Sequence, residues 1–562
     1  MSSTDLLREL NCVFHTNHRL NTAGVSALLE GVRRSSPDFG EVYGMVRQCW
    51  RRPGTIKALY KKQCTREAQH EVLRRNATRG AGLANSHIPP RRVWDLYSNR
   101  VLPLAVIPTD DPEPSNIPDA LVTVSHSWVA EPDRADLWTP VNGKRWPVPF
   151  PRATTLEHVR VELLNMGLEY VWLDVLCLRQ QGREEDEARR REEWKIDVPT
   201  IGYIYQGRPQ VDHRACVIYF NGLGLPLDTS PAALASDRHW FSRAWTLQES
   251  LEFWVPGGLT GAPLAAADAF LARLRAAVNM GAEVGPIRRL VPDVVREIMR
   301  RACTKALDRI AGLAYCLECD TLPLYDEGAG AERAWALLLK HVEDGVRTRL
   351  SLLCAARGAP YALFPTWAEY ATGTHSQENL TSHGSLRLVD EDQRFTAQPG
   401  QYYNEGIVFG PCRFSLVPSE PDPTDLRPTL RVSPVDGQAQ SITVRPGLIH
   451  GVVLENTTYS LVRWSGDGWR TPICWAIVEE FARQETPEPV VVVARSAVML
   501  LYYDDNENLQ GLWTTDDELE PEWAVMYVSG EEALQKSRHR RRYMAALESM
   551  QATGETFVCA RR

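Results

Sequence analysis

No stretch of this chain is both long and apolar enough to cross a bilayer. The most hydrophobic run, Val490 to Tyr503, is interrupted by Arg495 and falls short of the roughly 20 residues that a spanning helix needs. Its Val and Tyr content predicts a strand instead. The opening Met1-Ser-Ser-Thr-Asp-Leu-Leu-Arg-Glu lacks the apolar core of a signal peptide, so a soluble, cytoplasmic protein is expected, with no membrane partner. The twelve cysteines have no regular spacing, which suits reduced thiols better than a disulfide framework. Cys316 and Cys319 form a lone C-x-x-C without the further ligands a closed zinc site requires, and no metal site is expected. Also missing are the phosphate loop G-x-x-x-x-G-K-[ST], the dinucleotide fingerprint G-x-G-x-x-G, the H-E-x-x-H helix and the G-x-S-x-G elbow.

A global excess of positive charge is absent as well. The formal net charge is −8, which gives no overall attraction to nucleic acid or anionic lipid. The charge is uneven, however. Val46 to Leu102 holds thirteen Lys/Arg against three Asp/Glu, and a second basic cluster spans Lys536 to Arg542. With no nucleic-acid fold signature beside them, these runs read as solvated helix faces, and nucleic acid is not the expected partner.

What is present is globular. Apolar residues make up 44% and charged residues 24% of the 562 positions, and seventeen tryptophans supply large side chains for several cores. Typical domain sizes predict about three or four compact units. Residues 1–117 read as a helical N-terminal region, with apolar edges at Leu6, Leu7, Leu10 and at Val25, Leu28, Leu29, then a basic segment and a docking segment, Arg91 to Pro103. Residues 118–260 alternate strand and helix. Strands are expected at Ala120–Val124, Tyr170–Asp174 and Ala215–Phe220, and helices at Thr154–Met166 (with a Thr154/Glu157 capping box), Arg183–Lys195 and Ser242–Leu251. Residues 261–363 read as a helical subdomain, 364–529 as an antiparallel β-rich domain and 530–562 as a basic C-terminal helix.

Strands separated by helices imply α/β architecture with a parallel sheet, and in such sheets ligands gather at the carboxyl ends of the strands. That rule nominates Ser125–Trp128, Asp174–Gln180 and Asn221–Gly224 as one rim before any family is considered.

Three blocks in the central region resemble the heterokaryon incompatibility (HET) domain of filamentous fungi. They are Leu121-Val-Thr-Val-Ser-His-Ser-Trp128, Val171-Trp-Leu-Asp-Val-Leu-Cys-Leu-Arg-Gln180 followed by an acidic helix, and Arg243-Ala-Trp-Thr-Leu-Gln-Glu249. The chain departs from the pattern at His126, Val129 and Leu178-Arg179. The resemblance covers about a quarter of the chain strongly. It implies a role in non-self recognition and regulated cell death. HET domains in turn resemble TIR domains, some of which cleave NAD. That likeness implies a TIR-like (flavodoxin-like) sheet, with NAD or a related nucleotide as substrate and no required cofactor.

Glycosidic cleavage of NAD passes through an oxocarbenium-like state that a carboxylate can stabilise. Glu249 is therefore the candidate catalytic residue. Ser125, Ser127, Trp128, Asp174, Arg179, Arg243 and Trp245 are candidate ligand contacts. Plainer readings stand beside these. Trp245 suits core packing, Ser125 and Ser127 suit turn-making, Asp174 a strand-end cap, Cys177 a buried apolar site, and Glu249 an ion pair with Arg243. Function likewise stays open between a NAD-cleaving or nucleotide-binding effector and a non-enzymatic module that assembles with protein partners or with itself.

Overall fold

The computed structural model describes residues 2–35, 38–51, 56–206, 215–249, 253–259, 291–353 and 366–372. Towards the C-terminus it describes 387–388, 402–418, 428–435, 440–464, 473–484, 490–501, 503–513, 522–528, 545 and 557–560. Most of the anticipated C-terminal helix 530–562 lies outside these residues, but Phe557–Ala560 within it is a strand, paired with Leu448–Leu454. Residues 207–214 and the end of the helix expected at Ser242–Leu251 also lie outside. Among the described residues no helix is long and apolar enough to cross a membrane. The chain divides into two compact units rather than three or four: residues 1–289 with 297–341, and residues 290–296 with 342–562.

The larger unit is mixed α/β. Its central six-stranded sheet comprises β1 (Arg92–Asp95), β2 (Arg100–Pro103), β3 (Leu121–His126), β4 (Tyr170–Leu173), β5 (Ala215–Tyr219) and β6 (Phe253–Pro256). Their spatial order is β6-β5-β3-β4-β1-β2. The first four run parallel, and β1 and β2 close the far edge as an antiparallel hairpin. The three expected strands are all present, each shifted by a residue or two. They are buried on both faces: Val124, Val171, Leu173, Cys216 and Ile218 have essentially no exposure. That explains why they read as continuous apolar runs rather than alternating ones.

The segment expected to dock, Arg91 to Pro103, does so by pairing with β4, Trp94 opposite Val171 and Asp95 opposite Tyr170. It brings its arginines inward. Arg92 bonds Glu193 at 2.6 Å and the Cys177 carbonyl at 3.2 Å, and stacks over Trp146. Arg91 pairs with Asp197, and Arg47 with Asp95, each at 2.9 Å. Arg66 and Arg74 are buried too. Part of the basic stretch is thus interior wiring, which corrects its reading as a solvated face. Buried guanidinium groups are tolerated because carboxylates and carbonyls meet them.

Helices cover the sheet. Leu156–Asn165 is capped by Thr155, whose hydroxyl accepts from the His158 N–H, so the expected Thr154 box is displaced by one residue. Glu184–Asp197 carries four acidic residues in its first turn, favourable at the positive end of the helix dipole. Ile201–Gln206 follows it and presses Tyr205 edge-on against Trp172 of β4, ring centres 5.5 Å apart. At the N-terminus, helix Ser3–Phe14 buries Leu6, Leu7 and Leu10, and Val25, Leu28 and Leu29 are buried in the next. Helices Ala306–Cys316 and Gly330–His341 complete the unit.

The smaller unit is β-rich, as expected. A ten-stranded, largely antiparallel sheet is built on the long strands Tyr402–Leu416, Ile473–Gln484 and Val490–Leu501. Strand Glu522–Val528 pairs with both Tyr402–Leu416 and Val490–Leu501, so five of the strands close into a ring. Trp475, Phe409, Tyr459 and Leu461 fill its core.

Candidate functional site

Parallel register brings the key groups together. Val124 of β3 lies opposite Leu173 of β4, so the residues leaving the two strands emerge side by side. There, His126 Nε2 meets Asp174 Oδ1 at 2.8 Å, and Asp174 also accepts from the Val175 N–H at 2.6 Å as it opens a one-turn helix. The third block follows β5 in the chain. It is not the α-helix expected but two short 3-10 turns, Trp240–Ser242 and Trp245–Leu247. The main chain of Ala302 receives an N–H bond from Ala244 at 2.9 Å and donates one to Ser242 at 2.6 Å. Arg301 donates to Thr246 Oγ1 at 2.9 Å. This tie places Glu249 against Ser125 at the tip of β3.

Glu249 Oε2 accepts a hydrogen bond from the Ser125 hydroxyl, whose oxygen in turn accepts from the Trp240 indole at 2.6 Å. Its other oxygen makes no hydrogen bond to a described residue, and the side chain lines a cavity of about 410 Å³. The cavity lining includes His126 and Asp174 at the carboxyl ends of β3 and β4, Trp172 of β4, and Tyr205. Trp128 and Glu249 line it too, as do Trp194, Trp245, Asp308 and Tyr325.

The electrostatics suit proton handling. Burial pushes the Glu249 carboxyl up to about 7; the Ser125 bond opposes this and the Asp174 charge adds to it. His126 loses solvation, which alone would depress it, yet the adjoining Asp174 carboxylate holds it above its ordinary value. A carboxyl group held near neutrality beside a buried imidazole–carboxylate pair is the kind of perturbed cluster that functional sites gather. Cys177 is a different case. Burial raises its thiol to about 12, and His126 is engaged with Asp174, so no thiol nucleophile is assembled.

Of the residues nominated from sequence, Glu249, Trp128, Asp174, Arg243 and Trp245 all line the cavity. Ser125 stands behind Glu249, fully buried, and holds it rather than facing the cavity. Ser127 is excluded: its hydroxyl donates to the Phe220 carbonyl at 3.0 Å and its N–H to Tyr219, a strand-end closure. Arg179 is excluded too, being buried between Glu193 and Asp186 and over Trp146. Glu249 and Arg243 do not pair; Ser125 takes that place. Trp194, Tyr205, Asp308 and Tyr325 were not anticipated, and His126 was nominated only as part of the Ser125–Trp128 rim. His126 was visible in the sequence as a titratable residue at the end of a buried strand. The others depend on packing between distant segments. No family model, curated protein or solved structure matches this chain.

Proposed function

We propose that this chain is a HET-domain effector that hydrolyses the nicotinamide–ribose bond of NAD, and that this activity serves regulated cell death. One observation carries the reading: Glu249 presents a free carboxyl oxygen to a cavity at the strand tips, beside the His126–Asp174 pair. The strand order adds support, since β4-β3-β5-β6 follows the 2-1-3-4 run of flavodoxin-like sheets.

In the reaction the C–N bond breaks with its electron pair passing to the nicotinamide ring nitrogen, which leaves neutral. Water adds to the ribose carbon and gives up a proton, so NAD and water yield ADP-ribose, nicotinamide and a proton. Ionised Glu249 holds the ribose hydroxyls and stabilises the oxocarbenium-like charge. Asp174 and the Ser127 carbonyl engage both nitrogens of the His126 ring and hold it in place beside Glu249, and the proton released by water leaves to solvent.

Purified full-length protein, assayed dilute and concentrated to reveal any need for self-association, is expected to convert NAD to nicotinamide. The rate should rise as pH passes through about 7 and Glu249 ionises. Glu249→Gln should cut turnover by a factor on the order of 10² or more. Unchanged turnover in a folded Glu249→Gln protein removes the catalytic assignment.

A further inference from the structure

The sugar chemistry leaves part of the cavity lining unused. Three aromatic rings meet there, Trp194 and Tyr325 at 5.8 Å between centres and Trp245 and Tyr325 at 6.2 Å. Asp308 accepts from the Tyr325 hydroxyl at 2.8 Å, and Trp194 donates to the Arg179 carbonyl at 2.6 Å. The rings are thus held in place before any ligand arrives. Flat, fixed aromatic surfaces of this kind stack planar bases.

The cations nearby differ in how they are used. Arg190 and Lys305 lie over Trp194, and both are bonded to Glu327. Arg243 lines the same cavity, but its guanidinium makes no hydrogen bond or ion pair among the described residues. Burial holds its pKa down, and neighbouring Arg238 adds to the effect, while Asp308 opposes it. A half-buried guanidinium without a bonded counter-ion has an unused fork of donors, matched in shape to a phosphate.

We propose that this part of the lining is the base-and-phosphate half of a nucleotide site: a planar base packs on Trp194, Trp245 and Tyr325, and Arg243 pairs with a phosphate, selecting nucleoside diphosphates over nucleosides. The assignment rests on reading Glu249 as the ribose contact. Titration calorimetry of the full-length protein with ADP and with adenosine tests it. The wild-type protein should bind ADP more tightly than adenosine. Arg243→Gln should weaken ADP on the order of tenfold to a hundredfold and leave adenosine unchanged, because the lost contact is to phosphate. Trp194→Ala should weaken both ligands alike. Among the described residues the Arg243 guanidinium bonds no other side chain, so its variant should keep the wild-type melting temperature. ADP binding unaltered in Arg243→Gln, or no preference for ADP in the wild type, overturns the proposal. Failure here is separable from failure of the hydrolase reading. Loss of turnover with intact ADP binding in Glu249→Gln bears on the chemistry alone. Arg243-dependent ADP binding without NAD cleavage keeps this site and discards the reaction.

Discussion

Glu249 and His126 shift in the same direction, and the sign of their effect on stability follows. Both have folded-state pKa values above their ordinary ones, so the folded protein holds protons that the unfolded chain would release. Their contribution is complete at low pH. It is lost from about pH 4.5 up through about 7 for Glu249, and above about 6.5 for His126. Glu249→Gln, which keeps the neutral shape, should flatten this decline, and its melting temperature should exceed that of wild type by more at pH 8 than at pH 5. A constant difference across that range would contradict the placement of Glu249. Asp174→Asn removes the charge that sustains the His126 imidazolium, so NMR titration should find the His126 pKa lowered. Arg92→Met should destabilise the protein by about 1.5–3 kcal/mol in denaturant unfolding, because it removes the 2.6 Å bond to the buried Glu193 carboxylate, which keeps Arg179 and Arg189.

At the scale of elements, close approaches decide what the chain tolerates. Helix Ile201–Gln206 lies so near helix Ala306–Cys316 that a Cβ on Gly202 would come within 2.3 Å of the Tyr315 ring. Gly202→Ala should therefore cost about 1–3 kcal/mol, as overpacking does, and should lower the melting temperature even though alanine is the better helix former. Much at this scale could be read from the sequence. β3, β4 and β5 are apolar runs bounded by turns, and the downstream strands show the same signal. The edge strand β6 was missed because Phe253-Trp-Val-Pro256 is short and ends in proline. The hairpin Arg134–Leu137 with Val148–Pro151 was missed because its outer strand is polar. In the site, Glu249 and Asp174 were recognisable from motif and strand position. The His126–Asp174 bond was not, because it follows from the register of β3 on β4, which a single sequence does not display. The Trp245–Glu249 segment reads as helical by spacing, yet hydrogen bonds from Ala302 and Arg301 hold it in 3-10 turns. Tertiary contacts there override local propensity.

For the molecule as a whole, each unit has its own interior. Trp475 is fully buried in the β-rich unit, where its indole donates to Asn506 at 3.0 Å and its ring packs on Phe409. Trp475→Ala should cost about 3–5 kcal/mol within that unit, seen as an earlier calorimetric transition. The Glu249-dependent slope of stability against pH belongs to the other unit and should persist.

The hairpin β1–β2 and the stretch Thr304–Tyr325 lie on either side of the segment that carries the three sequence blocks, yet both are built into that segment's architecture. Trimmed to residues 118–260, the polypeptide would bare the flank of β4 as an open row of amide and carbonyl groups, ready to recruit another strand. It would also lack one side of its own binding chamber. Such an excerpt should come out of the cell aggregated and blind to nucleotide, whatever its intact parent can do.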